Sequence, residues 1–244
     1  MTHPALFAAP RPPAPPSWCD LRLGDVGSGL ADLEREGARF DVVFADPPWQ
    51  YDDRASASSA ASDEYVCLDY AQITEHLMGA FAVADRGARL ALWMTWAQFP
   101  GWVEHDDFGG WTWVTGGTWG KADPVVDDRR SGRLGMGYHM RSSESELLLV
   151  CKGSGPHTRA DVSGHWNESG SGRHSEKPIG WQRDMVCAWC PPGGRVLDLY
   201  AGLGSVARAV REAGGGRTYV GYELDPERHA AALSLLAMTQ RDEP

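Results

Sequence analysis

Apolar residues along this chain fall into short runs, separated by polar, glycine-rich or proline-rich stretches. Segments 19–24, 41–45, 90–96, 111–119, 146–152, 195–200 and 218–224 are rich in Val, Leu, Thr and aromatic residues and are bounded by turn formers, which predicts seven strands. Between several of them the period lengthens to that of a helix. Over 71–85, Ile73, Leu77, Ala80, Phe81 and Ala84 form one stripe; over 205–213, Val206, Ala209, Val210 and Ala213 form another, ended by Gly214, Gly215 and Gly216. Asp225 and Pro226 carry the N-cap and first-turn signature of a last helix, and a further helical stretch runs from about Pro178 to Cys190. Strands alternating with helices predict an α/β fold with a mostly parallel sheet.

Three segments break this rhythm: 52–63 is small and polar, 122–140 is rich in Gly, Arg and Asp, and 153–173 is rich in Gly, Ser and His. Loops of that length inside a compact domain are functional or disordered, and they are read as the walls of a substrate groove. Residues 1–17 hold six prolines without periodicity and read as a disordered or extended lead, leaving 18–244 as one domain. A chain of 244 residues with 42% hydrophobic composition suffices for one sizeable core. No apolar stretch reaches the roughly 18 residues of a membrane helix, and no secretory pattern opens the chain, so a cytoplasmic protein without a membrane partner is expected.

Five cysteines at irregular spacing read as reduced core residues. Cys187 and Cys190 have the spacing of half a zinc site, but no second pair stands at suitable distance and Pro191-Pro192 follows; core packing is preferred and no metal is expected. Of the eleven tryptophans, Trp93, Trp96, Trp111, Trp113, Trp119, Trp181 and Trp189 are expected in the core.

The net charge of −10 opposes a nucleic-acid partner, because phosphate contacts supply much of the affinity of such proteins. Its distribution is uneven. From Lys121 to Arg183 there are 10 Lys and Arg against 8 Asp and Glu, whereas the remainder holds 13 against 25. A basic face on an acidic body, a basic partner subunit, or merely solvated loop charges all fit that count.

The strongest chemical signal is an apolar run from Asp41 to Ala45 ending in Asp46-Pro47-Pro48-Trp49. An exocyclic amine on a nucleobase is a poor nucleophile, since its lone pair is delocalised into the ring. A carboxylate (Asp46) and a backbone carbonyl (Pro47) that accept its two N–H hydrogens favour a pyramidal, reactive nitrogen. The prolines remove competing donors and fix the loop, and Trp49 offers a face for a flipped-out base. A strand-ending turn is the alternative.

The second signal is the run Arg195 to Ser205, in which Asp198 ends a strand and Gly202 and Gly204 form the turn before a helix. Such a turn lets a nucleotide-like ligand approach the backbone, and Glu223, 19 residues after Gly204, suits a ribose. The spacing also satisfies a dinucleotide fingerprint, so an NAD-dependent oxidoreductase competes; Asp198 favours a ligand bearing an ammonium group. Lys177, where a glycine-rich loop meets a helix start, suits an anion, although a helix cap explains the spacing equally. Asp25 is either an acceptor for an adenine amine or a helix cap.

Together these residues resemble the permuted, beta-class amino-methyltransferases that act on nucleic-acid bases. Within them the chain resembles the adenine-N6 branch, which includes bacterial and phage DNA adenine methylases and the catalytic subunit of the mRNA adenosine methylase. The likeness spans nearly everything after the proline-rich lead. In that family an Asp-Pro-Pro-aromatic loop precedes the cofactor glycine loop, with a His-Ser-x-Lys-Pro-like segment between, as at His174 to Pro178 here. Trp96, Trp119-Gly120-Lys121, Gly137-Tyr138 and the run Glu146 to Gly153 also resemble its intervening blocks.

The resemblance implies a Rossmann-like methyltransferase fold: seven mostly parallel strands, helices on both faces, circularly permuted motif order, and the Asp198 strand beside the Asp46 strand. It implies S-adenosyl-L-methionine as cofactor, with Asp46, Pro47, Pro48 and Trp49 catalytic and Asp25, Lys177, Asp198, Tyr200, Gly202, Gly204 and Glu223 lining the cofactor. The substrate is expected to be DNA, with RNA as the alternative, met by Lys121, Arg129, Arg130, Tyr138, His139, Arg141 and His174. In place of the separate recognition domain that some relatives carry, the loops between Lys121 and Arg173 or a partner would supply selectivity, and a homodimer or a partner subunit is open to such a chain. Cytosine N4 is the rival target atom, and a non-catalytic nucleic-acid-binding partner of an active enzyme is a rival class. Restriction-modification, phage genome protection and regulation are all roles open to such an enzyme.

Overall fold

The computed structural model describes residues 16–49, 66–105, 108–120, 145–154, 162–168 and 176–238. The elements run β1 (Cys19–Leu23), α1 (Val26–Arg35), β2 (Phe40–Ala45), α2 (Tyr70–Ala82), β3 (Ala84–Met94), α3 (Phe99–His105), β4 (Thr112–Gly120), β5 (Ser145–Lys152), β6 (His165–Asn167), α4 (Ile179–Trp189), β7 (Arg195–Asp198), α5 (Ser205–Ala213), β8 (Thr218–Glu223) and α6 (Pro226–Met238). They build one eight-stranded sheet in the order β1-β8-β7-β2-β3-β5-β4-β6. Among the described strands, only β5 runs against the others, pairing antiparallel with both β3 and β4.

Alternation along the central strands divides the interior into two layers. Val43 and Ala45 of β2, Leu90, Leu92 and Met94 of β3, and Leu147 and Leu149 of β5 face the cluster that α1, α2 and α3 cover through Leu30, Leu77 and Trp102. Val42, Phe44, Ala91, Trp93 and Leu148 face the opposite cluster, covered by α4, α5 and α6 through Trp181, Met185, Val206 and Leu233. Helices therefore lie on both faces of an α/β sheet, as expected.

Several expectations need correction. Among the described residues the sheet has eight strands rather than seven, because β6 lies within 153–173, where the composition predicts loop; it pairs with only Thr118 to Gly120 of β4. β3 starts at Ala84 and stops at Met94. Ala84, expected on the stripe of a helix over 71–85, is instead its first residue and pairs with Phe40 across a register shift, because α2 ends at Ala82. α1 has no counterpart among the predicted helices, because Gly27 and Gly29 weaken helix propensity. Gly29 is required by packing: an added Cβ would lie 2.1 Å from the Tyr222 ring, whose hydroxyl donates to the Gly29 carbonyl at 3.0 Å. Trp96 and Trp113 are 53% and 43% exposed rather than core, while Trp93, Trp111, Trp119 and Trp181 are buried as expected. Cys187 is exposed, unlike the buried Cys19, Cys151 and Cys190. No helix among the described residues is long and apolar enough to cross a membrane.

The crossovers leave in opposite directions from the middle of the sheet. From β7 the chain passes through α5 to β8 on one side; from β2 it passes through α2 to β3 on the other. The gap between β7 and β2 is thus a topological switch point, where open α/β sheets bind ligands at the carboxyl ends of their strands.

Candidate active site

β2 and β7 pair in parallel, with Val42 opposite Val196 and Phe44 opposite Asp198. The Leu199 N–H donates to the Phe44 carbonyl at 3.0 Å, so the ladder carries on past the end of β7 and holds the two following loops side by side. Both open on one cavity of about 850 Å³. It is lined by Asp25, Asp46, Pro47, Pro48, Trp49, Lys177, Asp198, Tyr200, Gly202 and Glu223, which is every described site residue named from the sequence except Gly204. Gly204 instead caps α5 in the left-handed region, φ 79°, with its N–H bonded to the Ala201 carbonyl at 2.8 Å. The expected substrate contacts Lys121, Arg129, Arg130, Tyr138, His139, Arg141 and His174 lie outside the described residues, as do segments 52–63 and 122–140 and most of 153–173.

The Asp46 loop is tightly braced. The Trp49 N–H donates to the Pro47 carbonyl at 2.9 Å, closing a three-residue turn around Pro48, and the Leu68 N–H donates to the Pro48 carbonyl at 2.8 Å. The Trp49 indole is only 5% exposed; its Nε1 donates to the Trp93 carbonyl at 3.1 Å, and its ring meets Trp102 edge-on at 5.9 Å and Tyr70 at 6.1 Å. Trp49 is therefore a fixed wall of the cavity, held by the core behind it. Asp46 Oδ2 accepts from Lys177 Nζ at 2.6 Å. Lys177 is buried, and its ammonium lies 5.6 Å from the centre of the Trp93 ring. Beside it, Glu176 forms a buried ion pair with Arg208 of α5. The N-cap of α4 is Pro178, with no side-chain cap bond.

Across the switch point, Asp198 is buried and its Oδ2 accepts from the Tyr219 hydroxyl at 3.0 Å. Burial pushes its carboxyl up to about 7, with the Asp46 and Glu223 carboxylates acting in the same direction. Glu223 bridges two turns: Oε2 accepts from the Gly202 N–H and Oε1 from the Asp225 N–H, each at 2.8 Å. Its own carboxyl is raised, chiefly by burial. At the far wall Asp25 does act as a helix cap, accepting from the Ser28 N–H at 2.8 Å, and that bond is the main cause holding its carboxyl low. Cap and cavity-lining residue are therefore the same residue.

His76 was missed by sequence reasoning. Its Nδ1 and the Tyr200 hydroxyl are 2.8 Å apart, and burial lowers the imidazole while raising the phenol, so both are neutral partners in one hydrogen bond. A signal existed: His76 interrupts the apolar stripe of α2, three residues after Ile73 and one before Leu77. Glu176, Arg208 and Gln182 carried no comparable mark.

The cavity suits a large polar ligand bearing a positive charge. Its volume of about 850 Å³ lies at the upper end of the range of small-molecule and cofactor sites, and Asp198 is a buried acid whose neighbours at the site include two further carboxylates. A Cβ built on Gly202 meets nothing within 4 Å, so backbone is open to a ligand there. Thr95 Oγ1 and Gln182 Oε1, from two lining residues, are buried without a hydrogen-bond partner among the described residues.

No protein-family model matches the chain. Over 82 residues it is 38% identical to YubD of Escherichia coli (strain K12), named as a methylase; the match covers 33% of this chain and 35% of that protein. Among solved structures, TTHA0409 from Thermus thermophilus, named as a DNA modification methylase and complexed with S-adenosyl-L-methionine, superposes with a TM-score of 0.64 at 17% identity, covering 92% of this chain and 97% of that one. The M1.HpyAVI complex with SAM gives 0.62 at 13% identity, covering 88% and 98%. The PvuII DNA methyltransferase, cytosine-N4-specific, gives 0.61 at 13% identity, covering 89% and 86%. The chain thus has the fold seen in DNA methyltransferases and in proteins solved with S-adenosyl-L-methionine.

Proposed function

We propose that this chain is an S-adenosyl-L-methionine-dependent DNA methyltransferase that modifies an exocyclic base amine, with adenine N6 as its target. The observation that carries the reading is the parallel pairing of β2 with β7, which brings Asp46 and the Asp198-to-Gly202 turn to one cavity. When bound, the cofactor supplies an electrophilic methyl group on its sulfonium. Residues fitted to hold it are Glu223 and the Gly202 turn for a ribose, Asp25 for an adenine amine, Asp198 for an ammonium, and Lys177 for a carboxylate.

The work of the chain itself is positioning and charge placement. The Asp46 carboxylate accepts one amine N–H and localises the nitrogen lone pair. The Pro47 carbonyl, which already takes the Trp49 N–H on one lone pair, has a second for the other amine hydrogen. Two prolines in succession stop that loop from offering donors that would compete. Trp49, buried and braced from behind, bounds the space left for a base.

Cytosine N4 is the second reading, favoured by the likeness to the cytosine-N4-specific PvuII enzyme. Mass spectrometry of nucleosides from DNA and RNA incubated with the protein and methyl-labelled cofactor tests both. Labelled N6-methyladenine from DNA is expected. Labelled N4-methylcytosine would move the assignment to cytosine, label in RNA alone would change the polymer, and no labelled base at all would end the methyltransferase reading.

A further inference from the structure

The ion pair between Lys177 and Asp46 joins a residue fitted to the cofactor with the residue fitted to the substrate amine. We propose that Lys177 is a positioning residue with two competing partners, the Asp46 carboxylate and the carboxylate of the cofactor's amino-acid group, so that cofactor binding withdraws Lys177 from Asp46 and delivers Asp46 to the base. This rests on the cofactor assignment above.

The arrangement is asymmetric in a way that makes the exchange feasible. The Lys177 side chain is 6% exposed and the Asp46 side chain 31% exposed, so the lysine is the held partner and the carboxylate is the one at the cavity surface. The backbone at 176–178 is anchored independently, by Glu176 to Arg208 of α5 and by the start of α4. Breaking the 2.6 Å bond to Asp46 therefore leaves the Lys177 backbone in place while its ammonium changes partner. Among the described residues lining the cavity, Lys177 and Arg228 are the Lys and Arg. Arg228 lies on α6 by Asp225, whose Oδ1 accepts its N–H at 3.0 Å. An ammonium placed against Asp198 sets the attached carboxylate a short tether away, and the cation on the Asp46 side is Lys177.

Competition for one cation makes the two carboxylates antagonists, and it predicts an effect opposite to ordinary loss of function. Removing the Asp46 charge takes away the carboxylate that competes for Lys177 and strengthens cofactor binding. Calorimetry of the full chain with S-adenosylhomocysteine is expected to show Asp46→Asn binding about three- to tenfold tighter than wild type, the range set by a partly exposed ion pair. With 5′-methylthioadenosine, which has no carboxylate, the two proteins should bind alike. Lys177→Gln should weaken S-adenosylhomocysteine about tenfold or more, and adding Asp46→Asn to it should bring no gain, closing a double-mutant cycle that a merely structural lysine would not produce. Asp46→Ser serves as a second variant should Asp46→Asn not fold.

Unchanged or weaker S-adenosylhomocysteine binding by Asp46→Asn would overturn the exchange while leaving the cofactor assignment standing. An equal gain with 5′-methylthioadenosine, or a gain that persists in Lys177→Gln, would also overturn it. A wild-type protein that binds no S-adenosylhomocysteine would remove the exchange and the cofactor assignment together.

Discussion

Asp198 is the side chain at which a change of pH is felt most directly. Its carboxyl holds a proton up to about pH 7 in the folded chain but releases it near pH 4 once unfolded, because burial penalises the charge. The folded state therefore binds the extra proton between those limits. The stability Asp198 contributes is complete below about pH 4 and is lost as the pH rises through about 7. Thermal scans without cofactor should show this part of the slope vanish in Asp198→Asn. An ammonium ligand reverses the preference, since it needs the ionised form. Calorimetry in buffers of different ionisation enthalpy should find a proton released on S-adenosylhomocysteine binding at about pH 6 and none at about pH 8, with affinity rising across that interval. Asp46→Ala should lower methyl transfer by about a thousandfold or more while cofactor binding stays measurable, as expected when an electrostatic partner of the reacting atom is removed. Acids such as these were legible from the sequence because each stands at the end of an apolar run, where a strand must end and a side chain meets solvent or ligand. His76 and Gln182 sit within helices, where a polar residue is ordinarily a solvated one, and only the packing of α2 and α4 against the sheet turns them inward.

Among the elements, those with a single strong period are legible nearly to the residue. α5 runs over Ser205–Ala213 as expected, because its stripe is unbroken and three glycines follow. α1 escapes detection for a reason that is itself a prediction. Gly29 lowers helix propensity, yet it admits the Tyr222 ring of β8 against the helix backbone. Gly29→Ala should destabilise the protein by about 1–3 kcal/mol in chemical denaturation despite alanine's better propensity. Combining it with Tyr222→Ala should cost less than the two changes added, since the clash is gone. β6 is not legible at all: a three-residue strand has no period, and its pairing with the end of β4 comes from tertiary contact alone. β3 begins at Ala84, ahead of the apolar run that starts at Leu90, because the helical stripe of 71–85 carries on through Ala84 and Asp85, Arg86, Gly87 and Arg89 show no strand alternation where the backbone is already in the sheet.

For the molecule as a whole, the chain order of motifs is the most informative property of the sequence. An acid-proline-proline-aromatic loop on the second strand and a glycine turn on the seventh make sense only if those strands become neighbours, and they do. The expected count of strands is one short, and most of the expected groove walls lie outside the described residues, so the basic window from Lys121 to Arg183 is placed neither by composition nor by the fold. A ligand that bridges the two halves should stabilise all of it at once. At about a hundred times its dissociation constant, S-adenosylhomocysteine should add about 2.7 kcal/mol. For a chain of this size that corresponds to a rise in Tm of about 5–10 °C in a differential scan. NAD at the same excess should leave Tm unchanged, and an NAD-induced rise would favour the oxidoreductase reading instead.

The bond from the Leu199 amide to the Phe44 carbonyl spans more than half the chain. A growing polypeptide that has left the ribosome as far as α4 can pair the strand leading to Asp46 with β3 but has nothing to lay along its other edge, and no fragment ending before β7 can form the floor of the cavity. Ligand capture is for this reason a late event in the life of the molecule, and a proteolytic cut in the middle need not disable it provided the two pieces stay zipped along that shared seam.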